Sequence, residues 1–137
     1  IREYPVSTAK NGLGEQCGSY CTPRGRHRIA EKIGAGQPMY AVFKARVPTG
    51  EIWSRDLAAE HPGRDWILTR IFWLEGLEPG KNRGGEVDTH DRYIYIHGTN
   101  REAQIGTPCS HGCVCMRNGD VVALFESVKE GTVVVID

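Results

Sequence analysis

Residues 97–118 read HGTNREAQIGTPCSHGCVCMRN and lie between the clearest predicted strand of the chain and its clearest predicted helix. The preceding residues RYIYIH, at 92–97, are rich in β-branched and aromatic side chains, which favour strands. The stretch itself contains two of the five histidines and three of the five cysteines of the chain. A strand that ends on His97, at an edge, predicts that this side chain can reach a cleft.

The segment that follows predicts the main helix, over residues 119–129. Apolar residues from Val121 to Val128 recur at the i, i+3, i+4, i+7 spacing of one buried helix face. Asn118 precedes them as the predicted N-cap, and Gly131 follows as a predicted left-handed C-terminal cap.

Most of the remaining chain predicts short strands, so the expected fold class is mainly β with one main helix. Strands are expected over residues 2–8, 26–33, 66–75 and 132–136. A hairpin is predicted from residues 39–47 and 51–53, turning at Pro48-Thr49-Gly50. Loops are expected over residues 10–25, 54–64 and 76–91.

Length and charge exclude several classes of protein. The 137 residues fit one domain of typical size. The 17 Lys and Arg are balanced by 17 Asp and Glu, which argues against a nucleic-acid binder or an anionic-membrane binder. No apolar run approaches the ~18 residues of a transmembrane span. The first residue is Ile1 and no apolar signal-peptide core follows it; a processed form, a trimmed chain and a protein without a leader all remain open.

Residues 110–113, SHGC, place a thiol directly after a glycine. Gly112 lets the backbone approach a substrate closely and aim its N–H groups. A free thiol has a pKa of about 8.5, so a nucleophilic Cys113 needs an adjacent base. Cysteine with histidine is the minimum for acyl transfer through a thioester. Spacing alone leaves open whether His97 or His111 is the base.

Two other interpretations of the cysteines remain open on spacing alone. Four residues alternate, and on one strand they would point the same way as a tetrahedral zinc set: Cys109, His111, Cys113 and Cys115. Cys17-x3-Cys21 could instead join Cys113-x-Cys115 in a four-cysteine site. The third interpretation is that the cysteines are plain buried residues or form disulfides.

IHGT at 96–99 followed by SHGCV at 110–114 resembles the paired signature of the L,D-transpeptidase (YkuD-domain) family. YPVSTAKNGLG at 4–14 and TPRG at 22–25 are similar to the family's early strand and loop and to its Thr-Pro-x-Gly segment beside the active site. Asn118 and the helix after it also fit. The resemblance implies a mixed, YkuD-like β-sandwich with one main helix, forming a single catalytic domain over residues 1–137.

The resemblance assigns roles to residues of this sequence. Cys113 would be the nucleophile and His97 the base, with the other ring nitrogen of His97 held by the backbone carbonyl of Gly98. Backbone N–H groups at 111–113 would form an oxyanion hole. The residues expected to shape the site are Ser110, His111 and Gly112. The residues expected to bind substrate are Thr22, Thr99 and Arg117.

The sequence departs from the family pattern at Cys115. The common subgroup pattern is SHGC-apolar-Arg-Met, in which the Arg is expected to help hold a substrate carboxylate or the loop, and here Cys115 stands at that position. Arg117, two residues on, is the expected substitute. The family arrangement also places the Thr22-Pro23 segment near the catalytic loop. It therefore predicts a disulfide between the 17–21 loop and the 109–115 loop, with Cys113 left reduced.

The function that the resemblance implies is a peptidoglycan L,D-transpeptidase without metal or cofactor. Cys113 would attack a stem tetrapeptide before its terminal D-amino acid, and an amine would then take the acyl group, forming a 3→3 crosslink or attaching another acceptor. The alternatives are an L,D-carboxypeptidase that uses water, a non-catalytic zinc or redox module, and a wall-binding module.

Partners and compartment follow from the same resemblance. The expected partners are peptidoglycan stem peptides, as donor and as amine acceptor, and a carbapenem as a covalent inhibitor. The expected location is the periplasm or cell envelope of a bacterium, with the cytoplasm as the alternative.

Overall fold

A computed structural model describes residues 2–137, in which eight strands form one mixed sheet. The strands are β1 Val6–Ser7, β2 Gly25–Ile33, β3 Ala41–Lys44, β4 Val47–Ile52, β5 Ile67–Gly76, β6 Tyr95–Gly98, β7 Val114–Met116 and β8 Val133–Ile136. The α-helices are α1 Arg55–Glu60 and α2 Asn118–Ser127, and short 3-10 turns occupy Gly85–Val87 and Glu102–Gln104. The predicted fold class, mainly β with one main helix, is confirmed.

The strand order places the long strand β5 at the centre of the sheet. The order is β1-β7-β6-β5-β2-β8, and the hairpin β3–β4 joins the first residues of β5 through β3. The β6–β7 pair is parallel and aligns His97 with Cys115. The two motifs that the sequence separates are therefore neighbours in the sheet.

The two faces of the sheet carry different side chains and have different neighbours, because successive side chains of a strand point to opposite sides. One face packs against helix α2 in the main core, which contains Phe72, Leu74, Ile96, Val114, Met116, Val121 and Phe125. The other face carries Ile71, Trp73, Tyr95, His97 and Cys115, the alternate residues of the same strands. This second face bears the predicted chemistry.

Helix α2 begins one residue earlier than predicted, and Asn118 is not its N-cap. Arg117 occupies the cap position without a side-chain hydrogen bond, while Asn118 is fully buried. The Asn118 side chain is turned into the protein, where its amide accepts from Thr69 and donates to Thr99. Gly131 is not the C-cap either: the helix ends at Ser127 with Val128 as its C-cap, and Gly131 lies in the turn before β8 with φ +88°.

Three further local predictions are wrong. The hairpin turns at Ala45 and Arg46, whose φ angles are +48° and +66°, and Pro48 lies within β4 opposite Phe43. The polar segment 54–64 contains helix α1, because the Ser54 hydroxyl accepts from the N–H of Leu57 and caps it. The strand expected over 2–8 is reduced to β1, which pairs with β7 through two residues. None of the helices within residues 2–137 is long and apolar enough to cross a membrane.

Candidate active site

The second face of the sheet opens into a cavity of about 590 Å³. His97 and Cys115 line its floor, and Cys113 lines it from the residue just before β7. The turn of the β3–β4 hairpin and the segments 63–67, 99–101 and 109–111 contribute the other walls. The cavity therefore gathers both halves of the predicted catalytic pair.

The thiol of Cys113 is held by the backbone of the strand beside it. Its Sγ accepts a hydrogen bond from the N–H of Tyr95 at 3.3 Å and donates to the carbonyl oxygen of Tyr93 at 3.6 Å. Burial raises the pKa of Cys113 to about 12, and the hydrogen bond from Tyr95 only partly opposes this effect. The resting thiol is therefore protonated at neutral pH, so attack on a carbonyl requires a base.

His97 is oriented as such a base. Its Nδ1 donates to the carbonyl oxygen of Gly98 at 2.6 Å, and a carbonyl can only accept, so Nε2 carries the lone pair. Burial lowers the pKa of His97, which keeps the ring neutral. The predicted role of Gly98 as the carbonyl that fixes the tautomer matches this geometry.

The thiol within reach of His97 Nε2 is that of Cys115, at 3.9 Å. This contact follows from the parallel register, which sets His97 and Cys115 side by side. Among residues 2–137 no hydrogen bond joins Cys113 to His97. Burial raises the pKa of Cys115 to about 12 as well, so this second thiol is also protonated at neutral pH beside the His97 imidazole.

Two hydrogen bonds of the Ser110 hydroxyl fix the loop before Cys113. The Ser110 hydroxyl donates to the carbonyl oxygen of Cys113 at 2.5 Å and accepts from the N–H of Gly112 at 3.3 Å. Gly112 has φ +129°, and a Cβ there would stand 3.0 Å from Ile94 Cδ1 and 3.2 Å from the carbonyl oxygen of Cys21. Only glycine suits this position.

Thr22 supports the same loop instead of facing the cavity. Its hydroxyl donates to the carbonyl oxygen of Gly112 at 2.9 Å and accepts from the N–H of Ala9 at 2.9 Å. The side chain is fully buried and does not line the cavity. Thr22, predicted to contact substrate, therefore faces the loop that carries Cys113 and not the cavity.

The other predicted residues divide between the cavity and the outer surface. Thr99 and the exposed His111 both line the cavity, and the His111 ring meets the Tyr20 ring edge-on at 5.8 Å. Arg117 is exposed at the start of α2 and does not line the cavity. The expected substitution of Arg117 for the family Arg is therefore not supported, because the helix begins there and turns the chain away.

Comparisons of the sequence with a family model and with known proteins all indicate the same family. The model of the YkuD L,D-transpeptidase catalytic domain matches residues 1–136. This chain belongs to that family. YqjB of Bacillus subtilis (strain 168), named as an L,D-transpeptidase, is 48% identical over 95 residues, which are 65% of this chain and 51% of YqjB. YkuD of the same organism, also named as an L,D-transpeptidase, is 50% identical over 117 residues, which are 81% of this chain and 66% of YkuD.

Solved structures of L,D-transpeptidases share the fold. An L,D-transpeptidase from Mycobacterium smegmatis superposes with a TM-score of 0.52 at 16% identity and covers 100% of this chain and 49% of its own. LdtMt1 in complex with imipenem gives a TM-score of 0.53 at 16% identity with the same coverage. The chain thus spans about half the length of YqjB and of both solved structures.

The cysteines of this YkuD-family chain are all free, so the predicted disulfide between the two loops is not formed in the structure. The thiol of Cys21 faces carbonyl oxygens of its own loop, those of Asn11 and Ser19, at 3.5 and 3.6 Å. Cys115 is buried beside His97. The two thiols therefore point to different partners.

The alternation that suggested zinc does not extend along one strand, because β7 begins only at Val114. Cys109 and His111 precede it in the loop, so the four alternating residues do not share a strand face. Within residues 2–137 no group of three or more His, Cys, Asp or Glu side chains is arranged to hold a metal ion.

The sequence analysis did not single out Arg92, whose side chain binds the loop that contains Gly14, Glu15 and Cys21. Its Nη2 donates to the carbonyl oxygen of Cys21 at 2.6 Å, and its Nη1 donates to those of Gly14 and Glu15 at 3.3 and 3.2 Å. Burial lowers the pKa of Arg92 below its usual value. Its main partners are backbone carbonyls from a loop more than 70 positions away, so no local sequence pattern predicts these contacts.

Proposed function

We propose that this chain is a single catalytic domain, residues 1–137, of a peptidoglycan L,D-transpeptidase. Cys113 is the nucleophile and His97 the base. The observation that carries the proposal is the shared cavity, into which a backbone-held thiol and the neutral imidazole of His97 both face. The imidazole is locked by Gly98 in the tautomer that can accept a proton at Nε2.

The proposed reaction begins with a proton transfer. Nε2 of His97 takes the thiol proton as Sγ of Cys113 attacks the carbonyl carbon of the residue before the terminal D-amino acid. The amide C–N bond breaks, and D-alanine leaves with the proton that His97 returns to its nitrogen. An acceptor amine then attacks the thioester, gives its proton to His97 and forms the new amide, and Cys113 recovers its proton.

Backbone N–H groups at 111–113 are the proposed donors to the oxyanion that forms at each attack. In the resting loop the N–H of Gly112 is donated to Ser110 Oγ. This bond therefore competes with the oxyanion, and Ser110 tunes how readily the hole forms. Thr22 and Arg92 act behind the loop as positioning residues.

The proposed partners follow from this chemistry. The donor is a stem tetrapeptide, and the acceptor is an amine of a second stem. LdtMt1 is described in complex with imipenem, and we propose that a carbapenem acylates Cys113 here in the same type of attack. The proposed location is the bacterial cell envelope, where peptidoglycan is the substrate.

The test incubates the protein with a purified disaccharide tetrapeptide and identifies the products by mass spectrometry. A crosslinked dimer is the expected product; free tripeptide alone would instead indicate the L,D-carboxypeptidase alternative. Cys113→Ala should lose turnover and the single imipenem adduct, whereas Cys17→Ala, an exposed cysteine outside the cavity, should retain both. An adduct that persists in Cys113→Ala and disappears in Cys115→Ala would show that Cys115 is the nucleophile and that the proposed assignment is wrong.

A further inference from the structure

The turn of the β3–β4 hairpin delivers a cation into the catalytic cavity. Lys44 pairs with Val47, so Ala45 and Arg46 form a two-residue turn in which both adopt the left-handed conformation. Arg46 lines the cavity together with Cys113 and His97. The side chain is half-buried, and its position is therefore set by contacts and not by solvent alone.

The guanidinium of Arg46 rests on an aromatic wall. Its central carbon lies 4.4 Å from the ring centroid of Trp73 and 5.2 Å from that of Tyr93. Trp73 is itself fixed, since its Nε1 donates to the carbonyl oxygen of His90 at 3.1 Å and its ring stacks on the His90 ring at 3.8 Å. Such contacts hold a guanidinium plane in place and leave its edge available.

Arg46 forms no ion pair among residues 2–137, and the Glu31 carboxylate acts on it only from beyond ion-pair distance. Its hydrogen bond in the structure is from Nη1 to the hydroxyl of Tyr95 at 3.0 Å, and no carboxylate lies within 4.0 Å of it. Three other arginines do form ion pairs, namely Arg24 with Glu15, Arg28 with Glu75 and Arg64 with Glu51. A guanidinium has five N–H donors in a planar fork, and most of those of Arg46 remain free.

Tyr95 links this cation to the nucleophile. Its backbone N–H donates to Sγ of Cys113 at 3.3 Å, and its hydroxyl accepts from Arg46 at 3.0 Å. The guanidinium is thereby fixed about one tyrosine side chain away from the attacking sulfur, in the same cavity. A group bound there would lie close to the attacked carbonyl without being part of it.

We propose that Arg46 forms a carboxylate subsite that binds a carboxylate of the donor peptide. The inference rests on the proposed function for the identity of the donor, but not for the existence of the anion site. A planar fork with free donors matches the two oxygens of a carboxylate. Within the donor, the carboxylate comes either from the side chain of the attacked residue or from the terminal D-alanine.

The first test does not depend on any peptide substrate. Iodoacetate and iodoacetamide alkylate a thiol in the same way, with formation of an S–C bond and loss of iodide, but only iodoacetate carries a negative charge. The two rate constants at Cys113 are measured by peptide mass spectrometry. The iodoacetate to iodoacetamide ratio should fall about fivefold in Arg46→Gln, as expected for one cation at this range. Lys44→Gln is the matched control, because it removes an exposed charge beside the same turn and outside the cavity.

An unchanged ratio in Arg46→Gln overturns the subsite. Equal slowing of both reagents also overturns it, because Arg46 would then only hold Tyr95 and the thiol in place. Arg46→Lys retains the charge without the planar fork and should restore much of the ratio. A thermal melt of each variant checks that the fold is retained.

The second test identifies the carboxylate. Two tetrapeptide donors are compared with the unmodified one, the first amidated on the side-chain carboxyl of the attacked residue and the second on the terminal carboxyl. In the wild-type protein, the donor that lacks the bound carboxylate should have a higher KM than the unmodified donor. In Arg46→Gln the two donors should have the same KM. Equal KM ratios in wild type and variant overturn the inference. If the wild-type protein turns over no donor, the proposed function fails while the alkylation ratio still decides the anion site.

Discussion

Replacing Asn118 by alanine is expected to lower the free energy of unfolding by about 3 kcal/mol, because it leaves one buried donor and one buried acceptor unpaired. The Asn118 Nδ2 donates to the carbonyl oxygen of Thr99 at 2.8 Å, and its Oδ1 accepts from the hydroxyl of Thr69 at 2.6 Å. Asn118, Thr69 and Thr99 are all buried. These bonds connect helix α2 to β5 and to the residue that follows β6, the strand that carries His97.

The magnitude follows from the desolvation of the orphaned groups. A buried donor or acceptor left unpaired costs about 1–3 kcal/mol, and the Thr69 hydroxyl and the Thr99 carbonyl are two such groups. The Thr69 hydroxyl also accepts from the N–H of Tyr40 at 2.9 Å, which limits how far it can turn toward a new acceptor. Because the Thr69 hydroxyl keeps this acceptor bond and loses only a donor bond, a value in the lower half of the summed range of about 2–6 kcal/mol is expected.

The assay is urea unfolding followed by tryptophan fluorescence at neutral pH. Asn11→Ala is the matched control, because Asn11 is exposed and its Nδ2 makes one exposed bond to the carbonyl oxygen of Ser19. That control should change the free energy of unfolding by less than about 0.5 kcal/mol. A loss below about 1 kcal/mol in Asn118→Ala would show that the buried bonds are not the anchor argued here.

Three further predictions concern the helix end, the strand under His97 and the thiol. Lys32→Met should lower the stability by about 1–2 kcal/mol, measured by thermal melt, because Lys32 Nζ donates to carbonyl oxygens at the C-terminal end of α2. These are the carbonyls of Phe125 and Val128, at 2.6 and 2.7 Å. An effect no larger than that of Lys44→Met would contradict this prediction. Gly98→Ala should destabilise by more than about 2 kcal/mol and slow imipenem acylation, since its Cβ would overlap Asn118 Oδ1 and stand 2.7 Å from the carbonyl oxygen of Leu68; Gly119→Ala, where the same atom meets open space, should do neither. Alkylation of Cys113 by iodoacetamide should accelerate steadily with pH above neutrality, because burial raises the thiol pKa to about 12 and lowers that of His97; a rate plateau extending into acid would instead reveal a thiolate–imidazolium pair.

The register of β6 and β7 places the thiol of Cys115, and not that of Cys113, beside the His97 imidazole. His97 stands opposite Cys115, and Cys113 lies one step earlier on the same side, beside Tyr95. The resting Cys113 thiol donates to the carbonyl oxygen of Tyr93, so the proposed attack begins when Sγ leaves that bond and gives its proton to Nε2. Cys115 is the competitor for the same lone pair, and its replacement is the direct way to measure that competition.

Local sequence patterns were informative where the determinant is local. The β-branched and aromatic segments predicted β5, β6 and β8, because a strand's preference for such residues depends on its own side chains. The apolar stripe from Val121 to Val128 predicted α2 within two residues at its C-terminal end. The order of the HGT and SHGC motifs was sufficient for the family, which the match over residues 1–136 confirms.

Tertiary structure decided everything that depends on a distant partner. Asn118 is of a residue type that is common at the N-cap, but its side chain pairs instead with Thr69, 49 positions away. Thr22 looks like a substrate residue but uses its hydroxyl on Gly112, 90 positions away. The hairpin turns at Ala45 and Arg46, and not at Pro48-Thr49-Gly50, in a register where β3 also pairs with β5. Local preferences for helix or strand differ by only a few tenths of a kcal/mol per residue. Leaving one buried polar group without a hydrogen bond costs more than several such preferences together.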